Sequence, residues 1–386
     1  EEKEAGKAVY YGFLDPPDLK RLASGKPPFK NTANTALVWH NGKLLALWEG
    51  GPPHEIKVPS LDTLGPYQFG GKLKHAFTAH PKVDLATGEM LCFGYNPVAK
   101  PYVLYTVVNA QGQIVRTTPI DIPKPVMMHD CAVTQRHTLF LDLPEIFDFS
   151  RIAKGEHPFA FEPANGARIG ILPRHGEGKE IHWFDVPVCF IFHTLNAYDE
   201  GDEVVLLACR YEDFPAALGL YKTKGPAKAN DVLRSGKPIL HRWRFNLKTG
   251  KSKEEAVDDL VTEFPRINEG FMGRPTRHGY VAEVGGDMFG GLIKYDLVKG
   301  TRERHSHGEG RMGGEGVFVP RPDAKGEDEG WLATYVHDVA NGKSEMVIVD
   351  ARDFTAAPVA RVKLPARVPY GFHGTWIEGK ELPGAG

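Results

Sequence analysis

The feature that most limits how this chain can fold is a short apolar run, a tight glycine-bearing turn and a second apolar run, repeated along most of its length. The unit occurs in TALVWHNGKLLALWEGG at Asn41-Gly42, in YVLYTVVNAQGQIVRTTPI at Gln111-Gly112 and in HRWRFNLKTGKSKEEAV at Thr249-Gly250. It returns in GGLIKYDLVKGTRERH at Lys299-Gly300 and in WLATYVHDVANGKSEMVIVDARD at Asn341-Gly342. Glycine reaches the positive φ that a tight hairpin needs, so each unit reads as two paired strands, the first being Thr35–His40 with Lys43–Glu49. Convincing helical periodicity is scarce. Only 16–23 and 144–152 carry Leu, Ile and Phe at three- and four-residue steps, and these are expected to be short helical turns over one face. A sandwich would be filled well before residue 386, so hairpins in this number point to sheets arranged radially, in a single all-β propeller domain. No WD or kelch repeat marks the blades. Residues 221–238, YKTKGPAKANDVLRSGKP, read as a surface loop.

Composition narrows the partners. A net charge of −2 supplies no basic field for a phosphate backbone, so nucleic acid is excluded as a partner and a neutral or apolar ligand fits better. Cys92, Cys131, Cys189 and Cys209 are isolated in apolar runs, the pattern of buried reduced thiols in a cytoplasmic protein. No apolar run approaches the roughly 20 residues of a membrane-spanning helix, which leaves peripheral membrane contact open. The sequence starts at Glu1 without an initiator methionine, so a targeting segment upstream is also left open.

Among 16 histidines, four end apolar or aromatic stretches: His80 in AFTAHPKVD, His129 in PVMMHDCAV, His193 in VCFIFHTLNAY and His373 in VPYGFHGTWI. They lie at least 49 residues apart, which excludes a helical or knuckle zinc motif. A radial fold could bring one inner-strand residue per blade to its axis. Each histidine alone reads equally as a hydrogen-bonded core residue, and spacing alone names no metal. His40, His54, His278, His305 and His307 read as solvated, while His75, His182 and His337 lie in apolar surroundings.

These four segments, together with ALWEGGPP, EFPRIN, GGEGVFVPRPDA and RVPYGFHGTW, strongly resemble the carotenoid cleavage oxygenase family over nearly the whole chain. The resemblance implies a seven-bladed β-propeller, short helices and loops covering one face, and Fe(II) held on the axis by His80, His129, His193 and His373. It also implies that Glu49, Glu263 and Glu315 hydrogen-bond to ligand imidazoles. A neutral imidazole that ligates through one nitrogen needs an acceptor for its other N–H, and a carboxylate supplies it. Without the resemblance, the same glutamates read as hairpin-edge salt bridges. Family members carry a further N-terminal region with a strand that closes the propeller. It is not evident here, so 1–386 is expected to be one catalytic propeller domain lacking that closing region.

The implied reaction is addition of O2 across a conjugated C=C bond and scission to two carbonyl products, with no general base. The work left to the protein is to hold an apolar alkene in a tunnel lined by aromatics, for which Phe77, Tyr95, Phe192, Phe271 and Phe372 are candidates. Plain core packing is the competing reading of each. In lignostilbene-cleaving relatives a Lys precedes the first glutamate and binds a phenolic oxygen. Here Trp48 stands there, and an indole cannot bind a phenolate as an ammonium can, which favours a carotenoid or apocarotenoid over a stilbenoid. Retinoid isomerohydrolase chemistry ranks below both. Outside enzymes, an iron-free propeller acting as a binding module is the alternative the fold allows.

Overall fold

A computed structural model of the protein describes residues 31–154, 158–213, 236–285, 288–369 and 371–382. Within them the chain runs through consecutive antiparallel meanders. The first sheet holds Ala36–His40, Lys43–Leu47, His54–Ile56 and Thr63–Pro66, and the second Lys82–Asp84, Glu89–Tyr95, Val103–Val108 and Ile114–Ile120. The third holds Cys131–Val133, His137–Asp142, Ala167–Pro173 and His182–Val186. A two-stranded hairpin, Glu145–Phe147 with Phe159–Phe161, is inserted between its second and third strands.

Phe190–Glu200, Glu203–Tyr211 and Ile239–Asn246 begin the fourth sheet. The 16-residue strand Lys251–Arg266 closes it and then opens the fifth, which continues through His278–Gly285, Met288–Asp296 and Thr301–Ser306. In the sixth, Arg311–Met312 and Val317–Pro320 both pair with Gly330–Asp338, followed by Lys343–Asp350 and Ala360–Lys363. Among the described residues these are six blade-like sheets, one fewer than the resemblance implies.

Apolar packing sets their order. Val38 and Leu45 of the first sheet meet Met90 and Cys92 of the second, and Phe93 and Tyr105 of the second meet Phe140 and Leu172 of the third. Leu139 and Ile169 meet Leu206 and Trp243, Val205 and Leu240 meet Val281 and Ile293, and Tyr280 and Leu292 meet Leu332 and Val347. Each sheet from the second to the fifth is thus a layer between two neighbours. This explains why Glu203–Tyr211 is buried on both faces rather than alternately. Each such Leu, Val or Phe stabilises the packing by about 1.5–3 kcal/mol. The fold is a β-propeller.

The glycine turns form as the sequence predicts, with Gly42, Gly112, Gly250, Gly300 and Gly342 all at positive φ. The four cysteines are buried and free. No described helix is long and apolar enough to cross a membrane. One expectation is corrected in part. Residues 144–152 hold strand Glu145–Phe147 and only then a short helix, Phe149–Ala153, because Glu145–Phe147 finds Phe159–Phe161 to pair with. The expected helical turn at 16–23, and 221–235 of the expected loop, lie outside the described residues.

His40, His278, His305 and His307 are buried rather than solvated. A polar neighbourhood in sequence does not report what packs over a strand end. His307 is the extreme case: only 3% is exposed, neither ring nitrogen has a hydrogen-bond partner, and burial, followed by nearby His305 and Arg311, lowers its pKa to about 3. A folded-state value below the ordinary 6.5 means that the unfolded chain takes the proton first. The stability held above pH 6.5 is therefore lost as pH falls towards 3. His307→Leu should remove about 3 kcal/mol of the stability difference between pH 8 and pH 4. Urea unfolding at the two pH values checks this, and an unchanged difference would refute it.

Gly94 guides the chain towards the axis. Its missing side chain lets the Ala76 carbonyl cross directly over it, and Thr78 N–H then donates to Phe93 O at 2.7 Å. Gly94→Ala would drive a methyl into that backbone oxygen. It should cost about 3 kcal/mol or more, read as a drop in Tm, and an unchanged Tm would contradict the crossing.

Candidate metal centre

Four histidines meet where the sheets converge. His80 precedes the first strand of the second sheet and His129 that of the third. His193 lies in the first strand of the fourth, and His373 lies on the C-terminal segment, whose N–H bonds to Thr35 O at 3.1 Å. His193 sits in a stretch where the pairing of Phe190–Glu200 with Glu203–Tyr211 shifts register between Ile191 and Thr194. A bulge re-aims a side chain, and here the imidazole turns inward. Glu263 opposes it from a second irregular stretch of ladder. There the next residue, Phe264, holds φ +51, a left-handed value that costs a non-glycine residue about 1 kcal/mol or more.

One nitrogen from each of the four rings lies within 4.8 Å of the others. His80 Nε2 is 3.0 Å from His129 Nε2, and His373 Nε2 is 3.1 Å from His193 Nε2. The opposite nitrogens of three rings are pinned: His129 Nδ1 to Glu49 at 2.9 Å, His193 Nδ1 to Glu263 at 2.6 Å and His373 Nδ1 to Glu315 at 2.9 Å. A carboxylate there places the proton on Nδ1, so Nε2 presents a lone pair. Lone pairs aimed at one another repel, and a cation among them removes the conflict. Nitrogens bound at right angles about 2.1 Å from an ion stand about 3.0 Å apart, the spacing seen here. The donor set fits a metal ion.

The carboxylates are themselves held. Glu263 is fully buried and also accepts from Tyr211 OH at 2.9 Å and from Phe264 N–H at 2.5 Å. Glu315 accepts from Gly374 N–H at 2.6 Å. Burial pushes its carboxyl up, but Arg266 and then His373 bring it down to about 2. Burial, and then Glu49, to which its hydroxyl bonds, raise the Tyr95 phenol well above its ordinary range. The rings respond unequally. Burial and the three neighbouring imidazoles depress His80 strongly, whereas at His129 burial is outweighed by Glu49 and the pKa rises.

All four predicted histidines and all three predicted glutamates are thus brought together, and the aromatics divide. Phe192 stands edge-on to His129, with ring centroids 5.4 Å apart. Phe372 lines a 480 Å³, mostly apolar cavity that reaches His373 between the sixth and first sheets, with Phe289, Met312, Val317 and Met346 in its wall. Trp48 is half-buried with its indole against Gly50. Phe77 is corrected: it is 1% exposed and stacks on Phe69 inside the core between the first and second sheets, because the Gly94 crossing draws its segment into that core. Tyr95 serves Glu49 rather than the cavity wall. Phe271 ends a short 3-10 turn, where its carbonyl accepts from Asn196 at 3.4 Å.

Sequence reasoning missed Phe264, packed against both His193 and His373, and Arg266, 3.7 Å from Glu315. Both lie in EFPRIN, where the signal was already present. Of the apolar-context histidines, His75 bonds to Ala76 O and Thr106 Oγ1, and His182 is exposed.

Fold and site define a β-propeller with an axial four-histidine cluster that fits a metal. Comparison with known proteins agrees. A family model described as retinal pigment epithelial membrane protein matches residues 1–378. Carotenoid 9,10(9',10')-cleavage dioxygenase 1 of Arabidopsis thaliana is 41% identical over 380 residues, covering 91% of this chain and 67% of its own. Among solved structures, Pseudomonas brassicacearum lignostilbene dioxygenase has a TM-score of 0.85 at 27% identity, over 97% of this chain and 81% of that one. A mutant Synechocystis apocarotenoid oxygenase also reaches 0.85 at 27% identity, over 98% and 81%. The chain belongs to the carotenoid cleavage oxygenase family.

Proposed function

We propose that the chain is an Fe(II)-dependent dioxygenase that cleaves one conjugated C=C bond of a carotenoid or apocarotenoid with O2, giving two carbonyl products. The observation that carries this reading is the convergence of four ring nitrogens, three of them on imidazoles whose Nδ1 protons are committed to Glu49, Glu263 and Glu315. His80, His129, His193 and His373 are the ligands in this reading, and the propeller acts as one catalytic domain. Imidazole donors suit iron among several transition metals, and iron is the member of that group implied by the resemblance to the carotenoid cleavage oxygenases. Iron bound there would supply the activation of O2.

The remaining work falls to the chain. Inserting both oxygen atoms across a C=C bond moves no proton, so no acid or base residue is required. The three carboxylates fix the ring orientations and offset a charge that four neutral ligands leave unbalanced. Phe192 and Phe264 shield the imidazoles from water, and the apolar wall beside His373 suits a neutral polyene. The likeness to a lignostilbene dioxygenase carries a second reading, a stilbenoid alkene, against which Trp48 stands beside Glu49.

The test is anaerobic loading with Fe(II) followed by oxygen-uptake assays on carotenoids, apocarotenals and hydroxystilbenes, with masses of the carbonyl products. Stoichiometric iron and polyene cleavage are expected. Failure to retain iron would overturn the enzyme reading in favour of a binding module. Turnover of hydroxystilbenes without turnover of any polyene would overturn the substrate class.

A further inference from the structure

Three of the four imidazoles have a carboxylate on Nδ1, and among the described residues His80 has none. A fourth carboxylate, Asp130, nevertheless lies beside the cluster and touches no imidazole. Its side chain is 1% exposed, and both oxygens are taken. Oδ1 accepts from Lys82 Nζ at 2.8 Å and from Cys131 N–H at 2.7 Å, and Oδ2 accepts from Thr194 N–H at 2.8 Å. The Thr194 hydroxyl stands 2.9 Å from Oδ2 and 3.0 Å from Cys131 O, sharing its one hydrogen between them.

What distinguishes these partners is where they sit. Lys82 is two residues after His80, Asp130 and Cys131 follow His129, and Thr194 follows His193. One buried carboxylate therefore ties together the three chain segments that carry three of the histidines, each at the residue next to the imidazole or one further on. The tie is strong by type, since charge-assisted bonds to a carboxylate are about twice as strong as neutral ones. It is also local, because an error in strand spacing at this point passes directly into the separation of the Nε2 atoms. His80 depends on it most. Its backbone N–H bonds to Thr78 Oγ1 at 2.9 Å, and Lys82 is the next anchor along the chain.

We propose that Asp130 is a positioning residue for the metal centre: it sets the mutual spacing of His80, His129 and His193 by binding the residues that follow them, and through Lys82 it takes the place of the carboxylate that His80 lacks. The inference rests on the metal-centre reading above. Asp130→Asn keeps the shape but turns one acceptor oxygen into an N–H donor that faces either Lys82 or Thr194. The control is Asp142→Asn, which breaks the comparably buried pair with Arg168 Nε, 2.7 Å away, on a strand of the third sheet that carries none of the four histidines.

The experiment is anaerobic titration of the full chain with Co(II), followed by visible d–d absorption, and with Fe(II), followed by bound-metal analysis. Thermal unfolding is recorded in parallel. Asp130→Asn is expected to weaken metal binding by about 10- to 100-fold, the usual effect of losing an outer partner of a metal site, and to change the Co(II) band positions. Asp142→Asn should lower the Tm and leave affinity and bands alone. Unchanged affinity and spectrum in Asp130→Asn would overturn the proposal, and so would equal weakening in both variants, which would reveal general destabilisation. If Asp130→Asn does not fold, Lys82→Met, which removes one donor, is judged by the same criteria. A wild-type chain that binds neither ion would refute the metal-centre reading itself, a result distinct from all of these.

Discussion

Replacing His193 by alanine will lower metal affinity and alkene turnover by more than about 100-fold while leaving the β-propeller folded. The expectation follows from what His193 joins. Its Nε2 is one of the four converging nitrogens, and its Nδ1 is bound to the most deeply buried carboxylate of the site. Removing the ring takes away one donor and leaves Glu263 with a charge it can share only with Tyr211 and the Phe264 N–H. This should cost about 1–3 kcal/mol of stability. Bound-iron stoichiometry, product formation and circular dichroism on one preparation check the three parts separately. Full activity in this variant would remove the ground for a four-histidine centre.

The second large effect is expected from Glu263→Gln, which changes almost no volume. Glu263 accepts three hydrogen bonds from His193, Tyr211 and Phe264. A carboxylate satisfies all three donors, whereas an amide offers one oxygen and turns an N–H₂ towards at least one other donor. Either His193 loses the partner that fixes its tautomer, or Tyr211 loses the acceptor for a hydroxyl that burial, and then Glu263, keep protonated. Metal affinity should fall by about 10- to 100-fold, less than for His193→Ala, because the ligand remains but its orientation does not. Glu263→Asp should recover little, since the shorter side chain cannot keep all three contacts. Wild-type affinity in Glu263→Gln would show that the carboxylate only packs.

What could be read from the sequence divides by range. Hairpin turns were legible because glycine at Asn41-Gly42 or Asn341-Gly342 acts within four residues, and the strands followed from them. The four histidines and three glutamates were legible only through long motifs, since no local rule relates His193 to a carboxylate 70 residues away. Whether a side chain would be covered was poorly legible. His305 and His307 sit in a polar run yet are buried under other elements, and Phe77, in the segment leading to His80, is drawn into a core by a glycine on a neighbouring strand. Asp130 was passed over for the same reason: its partners Lys82 and Thr194 lie 48 residues before it and 64 after it.

The strand Lys251–Arg266 has a consequence for how the chain can be cut and rejoined. It crosses from the fourth sheet to the fifth without a connecting loop and delivers Glu263, Phe264 and Arg266 to the axis at its far end. A break or insertion at Asn341-Gly342 falls in an exposed turn between two strands of one sheet and should be tolerated. One placed within 257–261 would detach the fifth sheet from the fourth and release the carboxylate that orients His193. Circularly permuted forms of this propeller should therefore accept new termini in its hairpins and reject them at this joint, where frame and chemistry share a single uninterrupted stretch of backbone.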